Sequence, residues 1–150
     1  PRTLITPGYQ ATLGYAFPTA LGAQVANPDR KVVCISGDGG FMFNVQEMAT
    51  AVLHNIPLVT ILFNDNTFGN VKRNQKNDYN ERYIACDLHN PDFMKLAESF
   101  GMMGLRVDSA EGLQGAMEKA FAEDGPVLIE VEVGPMEGLW PLMPLKRAKD

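Results

Sequence analysis

Two apolar runs rich in β-branched residues organise the first half of the chain. Val32-Val-Cys-Ile-Ser36 leads into Gly37-Asp38-Gly39-Gly40, and Leu58-Val-Thr-Ile-Leu-Phe63 leads into Asn64-Asp65-Asn66. Unbroken apolar runs of this length predict strands of a parallel sheet, buried on both faces. Between them Val45, Met48, Ala49, Val52 and Leu53 recur at helical spacing and predict one apolar helix stripe. Gly37 to Phe43 reads as a loop. Asn44 reads as a helix cap, with Glu47 completing a capping box, and Asn55 and Pro57 stop the helix. Parallel strands joined by a helical crossover bring both polar clusters to the same carboxyl edge of the sheet. Open α/β sheets bind their ligands at that edge.

The flanks continue the alternation. Residues 1–10 contain Pro and Gly without a period and read as a leading loop. A helix is expected from Pro18 or Thr19 to Ala26, with Pro in its first turn. Asn64 to Pro91 is long and polar, a kind of segment that is usually functional, with a short helix expected over Phe68 to Lys76. Asn90-Pro91 reads as the cap of a helix whose stripe is Phe93, Leu96, Ala97 and Phe100, ended by Gly101. Met103 to Val107 predicts a strand. Ser109 caps a helix with Leu113, Ala116, Met117, Ala120 and Phe121 inward. Val127 to Val133 alternates valine and isoleucine with Glu130 and Glu132, which predicts a strand with one wet face near a sheet edge. Residues 134–150 form a Pro- and Met-rich tail. The fold class is therefore α/β, with an open, mostly parallel sheet and helices on both faces.

The 150 residues suit a single domain, with 45% hydrophobic and 21% charged residues. A net charge of -5 and the lack of a basic stripe argue against nucleic acid as a partner. Lys72, Arg73 and Lys76 read as a solvated helix face. Cys34 and Cys86 lack metal-ligand spacing and are too few for a disulfide framework, which points to a reduced, cytoplasmic setting. No apolar run is long enough to span a bilayer, so no membrane role is expected.

The two clusters carry the chemistry. Gly37, Gly39 and Gly40 have no side chains, so their backbone N–H groups can approach an anion closely. A helix beginning beyond them turns its positive end to the same place. An Asp among phosphate-binding glycines would repel the phosphate unless a cation lay between them. Asp38 therefore implies a hard metal such as Mg2+, which takes oxygen ligands. Asp65, 27 positions on, is the natural second ligand, and the backbone carbonyl of Thr67 a third; Gly69 permits the turn around the ion. The chain has no Gly-x-Gly-x-x-Gly after a strand and no Gly-Lys-Ser/Thr, which excludes dinucleotide and P-loop motifs.

Gly37-Asp38-Gly39 followed by Asn64-Asp65 resembles the signature of thiamine diphosphate-dependent enzymes. Leu13-Gly-Tyr-Ala-Phe-Pro-Thr-Ala-Leu-Gly-Ala23, Gln46-Glu47-Met48-Ala49-Thr50-Ala51, Asn55-Ile56-Pro57 and Phe68-Gly69-Asn70-Val71 extend the resemblance over nearly the whole chain. It is closest to the carboxyl-terminal, diphosphate-binding domain of the acetolactate synthase and benzoylformate decarboxylase group. The resemblance implies that Asp38, Asp65 and the Thr67 carbonyl hold Mg2+. Gly39 and Gly40 would donate to the diphosphate. Leu13 would wedge the cofactor into its bent form, and the Ala11 carbonyl would accept from the aminopyrimidine. Gly37, Asn64, Phe68 and Gly69 complete the expected cofactor-binding set. Two positions depart from the family pattern. Asp65 stands where Asn is usual, which would either tighten metal binding or shift the register to Asn64 or Asn66. Ala11 stands where Gly is usual, which matters little if only its carbonyl acts.

The resemblance further implies one cofactor-binding domain within a longer multidomain chain. That chain would be a homodimeric or homotetrameric lyase or transferase that decarboxylates a small 2-oxo acid or transfers the resulting acyl carbanion. The activating Glu would come from the pyrimidine-binding domain of the same or a neighbouring subunit, and no catalytic residue is expected in these 150. The substrate pocket would draw on the segment from Asn70 to His89. Two other readings are a Mg-binding receiver- or flavodoxin-like module, which would need an acidic pair and a late Lys not found here, and a non-catalytic assembly domain.

Overall fold

The computed structural model describes residues 3–8 and 11–134. Four strands, β1 (Val33–Gly37), β2 (Val59–Asn64), β3 (Met103–Val107) and β4 (Val127–Glu132), form one sheet in the order β1-β2-β4-β3. Every pairing is parallel. Gly37 stands opposite Phe63, so the two polar clusters leave the sheet side by side at its carboxyl edge. The crossover arithmetic of the two apolar runs therefore holds in three dimensions.

The helices cover both faces unequally. α1 (Ala16–Ala26), α2 (Asp38–Met42), α3 (Glu47–Leu53) and α5 (Phe93–Phe100) share one apolar cluster centred on Phe17, Phe41, Met48 and Phe93 against Leu58, Leu62 and Leu128. Phe41 meets Phe17 and Phe93 edge to face, at centroid distances of 5.2 and 6.2 Å. α6 (Ala110–Ala122) covers the other face, packing Ala116 and Ala120 on Val59, Ile61, Val127, Ile129 and Val131. α4 (Gly69–Asp78) buries no residue.

Several local expectations change. β1 is not buried on both faces: Cys34 and Ser36 are buried, whereas Val33 and Ile35 are exposed, because α6 reaches over β2, β3 and β4 but not over β1. β4 is not a wet edge strand. It lies between β2 and β3, and Glu130 is 1% exposed. Its charge is tolerated there because Asn64 and Arg106 both donate to it. α1 starts at Ala16, two residues before Pro18, which still lies in the first turn.

The stretch read as a glycine loop is helical from Asp38 to Met42. Asn44 caps nothing; it donates to the Gly14 carbonyl at 2.7 Å, and Glu47 accepts from Thr50 instead of closing a capping box. Leu53, placed in the buried stripe, is 78% exposed, while Ala51 is fully buried. Asn90 is likewise not a cap, since Asp92 caps α5 by accepting from Met94 N–H. The Ser109 cap and the Gly101 terminator, at φ 79°, are as expected. The tail residues 135–150, including Trp140, lie outside the described residues.

The aromatic cluster sets one expectation. Phe41→Ala should destabilise the fold by about 3–5 kcal/mol, whereas Leu53→Ala should change it by less than about 0.5 kcal/mol, both measured by urea denaturation.

Candidate cofactor and metal site

Three segments converge at the carboxyl edge of β1. The leading loop, the turn into α2 and the turn into α4 enclose a cleft of about 520 Å3. Ala11, Leu13, Gly37, Asp38, Gly39, Gly40, Thr67, Phe68 and Gly69 all line it. Of the residues singled out in the sequence, only Asn64 and Asp65 do not.

Backbone geometry explains why glycines stand at two of these places. Gly14 has φ 83°, and a Cβ built there would lie 2.5 Å from the Asn44 amide that pins the leading loop. At Gly39 a Cβ would lie 2.5 Å from the Phe68 ring, so the first cluster and the second can close on each other only without a side chain. Leu13 is 49% exposed and approaches Gly40 from the opposite wall, which leaves its side chain free to bear on a ligand. Ala11 has φ 47°, in the left-handed region. Alanine there is not neutral as expected, because its Cβ costs roughly 1–2 kcal/mol that glycine would not.

Asp38 is the buried charge of the site, at 2% exposure. Its Oδ1 accepts from Gly39 N–H at 2.8 Å, and its Oδ2 accepts from Asn90 Nδ2 at 2.6 Å. Asp65 folds onto its own turn, its Oδ1 accepting from the N–H and hydroxyl of Thr67, both at 2.9 Å. The second cluster is anchored from behind: Phe68 N–H donates to the Cys86 carbonyl and Leu88 N–H to the Asn66 carbonyl, each at 2.8 Å. Asn64 turns away from the cleft and donates to Glu130 at 2.8 Å. Asn90, which sequence reasoning assigned to capping, is the residue it missed. Its Nδ2 reaches Asp38 Oδ2, Asn64 Oδ1 at 3.0 Å and Asn66 Oδ1 at 3.2 Å. An Asn before a Pro carries no sequence signal that separates this role from a cap.

The donor set fits a hard cation. Asp38 and Asp65 are close enough for Asp65 to oppose the charge on Asp38. Among the described residues neither makes an ion pair with Lys, Arg or His. No donor is paired with the Thr67 carbonyl there. The described residues hold no group of three His, Cys, Asp or Glu, so diphosphate oxygens and water would have to complete an octahedral shell, as Mg2+ prefers. Cys34 plays no part: it is a core thiol that burial pushes up to about 12.

Residues 1–131 match the model of the thiamine pyrophosphate enzyme, C-terminal TPP binding domain. The chain belongs to this family. Its cofactor is accordingly thiamine diphosphate, with Mg2+ the standard companion in such domains. The chain is 40% identical to acetolactate synthase isozyme 2 large subunit of Escherichia coli over 145 residues, 96% of this chain and 26% of that protein. It is 44% identical to acetolactate synthase of Bacillus subtilis over 133 residues, 89% of this chain and 23% of that one. Among solved structures it resembles a Rhodococcus jostii RHA1 thiamine diphosphate-dependent 4-hydroxybenzoylformate decarboxylase, with a TM-score of 0.78 and 36% identity over 84% of this chain and 24% of that one. The chain thus spans about a quarter of the length of these relatives. A receiver- or flavodoxin-like module is not favoured by any of these matches, nor is a bare assembly domain.

The buried carboxylate yields a signed expectation. Burial, opposed by the Gly39 and Asn90 hydrogen bonds and aided by Asp65, holds the Asp38 carboxyl above its ordinary value of 3.8. An acid whose folded pKa is raised destabilises the fold once the pH exceeds its unfolded value, and the penalty disappears below that value. The cofactor-free protein should therefore lose stability relative to Asp38→Asn as the pH rises from 3.8 towards neutrality, whatever the variant's own loss from placing an NH2 among the Gly39 and Asn90 donors. Thermal denaturation at both pH values checks the sign.

Proposed function

We propose that this chain forms the diphosphate- and metal-binding domain of an acetolactate synthase-like enzyme that decarboxylates a small 2-oxo acid, transfers the acyl carbanion to a second carbonyl compound, or does both. The observation that carries the reading is the buried Asp38 carboxylate. It lies near a second carboxylate, with no cationic side chain among the described residues paired to either, in the wall of a glycine-lined cleft. Asp38, Asp65 and the Thr67 carbonyl would hold Mg2+. Gly37, Gly39 and Gly40 would let the diphosphate approach the backbone, with the Gly39 N–H, which donates to Asp38 Oδ1 here, becoming available once the carboxylate turned to the metal. Leu13 would bear on the cofactor between its rings, and the Ala11 carbonyl would accept from its aminopyrimidine. Phe68 and Gly69 would close the wall opposite Leu13, and Asn64 would act from behind the cleft rather than within it.

When bound, thiamine diphosphate would supply its thiazolium ring as the electron sink for the negative charge left as carbon dioxide departs. What this chain contributes is binding and orientation. It would hold the anionic end on backbone donors and a metal, and keep that end from water with Leu13 and Phe68. The residue that activates the cofactor would come from a pyrimidine-binding domain of the same or a neighbouring subunit in a homodimer or homotetramer. These 150 residues alone would then be inactive. No helix among the described residues is long and apolar enough to cross a membrane. We place the enzyme in the cytoplasm.

Calorimetric titration of the full-length enzyme tests the site. Thiamine diphosphate should bind only with Mg2+ present and be released by a chelator. Asp38→Ala should weaken metal-dependent binding by more than about 100-fold, beyond the loss typical of a residue outside the ligand shell. Asp65→Asn should retain binding, because an amide oxygen still coordinates. Unchanged binding in Asp38→Ala would sink the assignment.

A further inference from the structure

Glu130 lies in the central strand at 1% exposure, yet nothing in the cofactor chemistry calls on it. An ionised carboxylate only accepts hydrogen bonds. Both oxygens are engaged: Oε1 accepts from Asn64 Nδ2 at 2.8 Å, and Oε2 from Arg106 Nε at 2.7 Å. The sheet register brings them together. Arg106 stands directly opposite Glu130 on β3. Asn64 stands opposite Glu132 on β2, one diagonal step away on the same face.

The acceptor-only character of Glu130 has a consequence two residues away. The Asn64 amide must turn its NH2 towards Glu130, so its Oδ1 points the other way. That oxygen accepts from Asn66 N–H at 3.2 Å and from Asn90 Nδ2 at 3.0 Å. The Asn90 NH2 is thereby committed to this side, where it also reaches Asp38 Oδ2 at 2.6 Å. Donor and acceptor polarity is handed from Glu130 through two amides to Asp38. Arg106 closes the arrangement from behind. Its Nη2 donates to Asp92 Oδ1 at 2.9 Å, and Asp92 caps α5 two residues beyond Asn90. Glu132 adds a looser contact to Arg106 at 3.4 Å.

We propose that Glu130, held by Arg106, is a remote positioning residue of the metal site: it sets the orientation of the Asn64–Asn90 amide pair that holds the Asp38 carboxylate. The proposal rests on the reading that Asp38 binds the cation. The plain alternative is an ion pair that stabilises the sheet and leaves the metal unaffected.

The two separate in the full-length enzyme. The probe is Mn2+, titrated in the presence of thiamine diphosphate and followed by electron paramagnetic resonance, alongside the melting temperature of the cofactor-free protein. In Glu130→Gln the amide oxygen must stay on the Arg106 donor, so the amide NH2 faces the Asn64 NH2 and the polarity is reversed. Metal affinity should fall by about 10-fold or more, the loss typical of a substitution outside the ligand shell. The double variant Asn64→Asp/Glu130→Gln restores the order, because the introduced amide donates to the introduced carboxylate, whose other oxygen still accepts from Asn90. It should recover most of the affinity. Arg106→Lys keeps the charge but not the fixed Nε contact, and serves as a milder variant should Glu130→Gln not fold; it should weaken the metal several-fold. A lowered melting temperature with unchanged Mn2+ affinity in these variants overturns the proposal, as does a double variant no tighter than Glu130→Gln. If Asp38→Ala also leaves Mn2+ binding intact, the cation site itself is wrongly placed, an outcome distinct from failure of the relay alone.

Discussion

A carboxylate taken out of water, with no cationic partner among the described residues, dominates this domain. Asp38 starts α2 at the end of β1 and is almost fully buried. A second acid, Asp65, is close enough to oppose its charge. Burial of this kind normally raises an acid's pKa and costs stability unless compensated. Here the compensation is partial: one backbone N–H and one side-chain amide. The remaining imbalance is what a divalent cation would relieve. Under the proposed function such a cation would couple folding to cofactor binding.

The parallel sheet makes that imbalance possible. Level pairing of β1 with β2 delivers two acidic turns to one edge, and glycines at the first of them let the second approach closely enough for the Phe68 ring to occupy the space over Gly39. The segment around Cys86 and Leu88 then pins the second turn by backbone hydrogen bonds, independent of side-chain identity. A long polar stretch that lacks a core of its own thereby acquires a fixed position. Behind the edge, Glu130 and Arg106 extend the polar order into the sheet, so the site is supported from the apolar side as well as from the turns.

Much of this was legible in the residues alone, and the failures share a cause. The strands, the crossover spacing, the Ser109 cap and the acid-glycine clusters are local or periodic signals, and they survived. The misread polar residues are those whose partners lie far along the chain, while the open face of β1 and the exposed Leu53 depend on which surfaces the helices cover. Asn44 and Asn90 carry the composition of helix caps, but their amides bond to Gly14 and to Asp38. Glu130 alternates with valine and isoleucine as a solvent-facing residue would, yet it is buried against Arg106 and Asn64. A side chain of this kind is satisfied either by water or by a distant partner, and sequence pattern cannot distinguish the two.

The amino-acid sequence by itself determined the α/β class and the delivery of the Asp38 and Asp65 turns to one sheet edge, because hydrophobic period and turn chemistry act over a few residues. Only the tertiary structure decided that β4 lies inside the sheet rather than at an edge, that one face of β1 is open, and that the Asn90 amide donates to Asp38. Those outcomes depend on which strands lie side by side and on what each helix covers. Both are set by packing between segments tens of residues apart, where no local preference reaches.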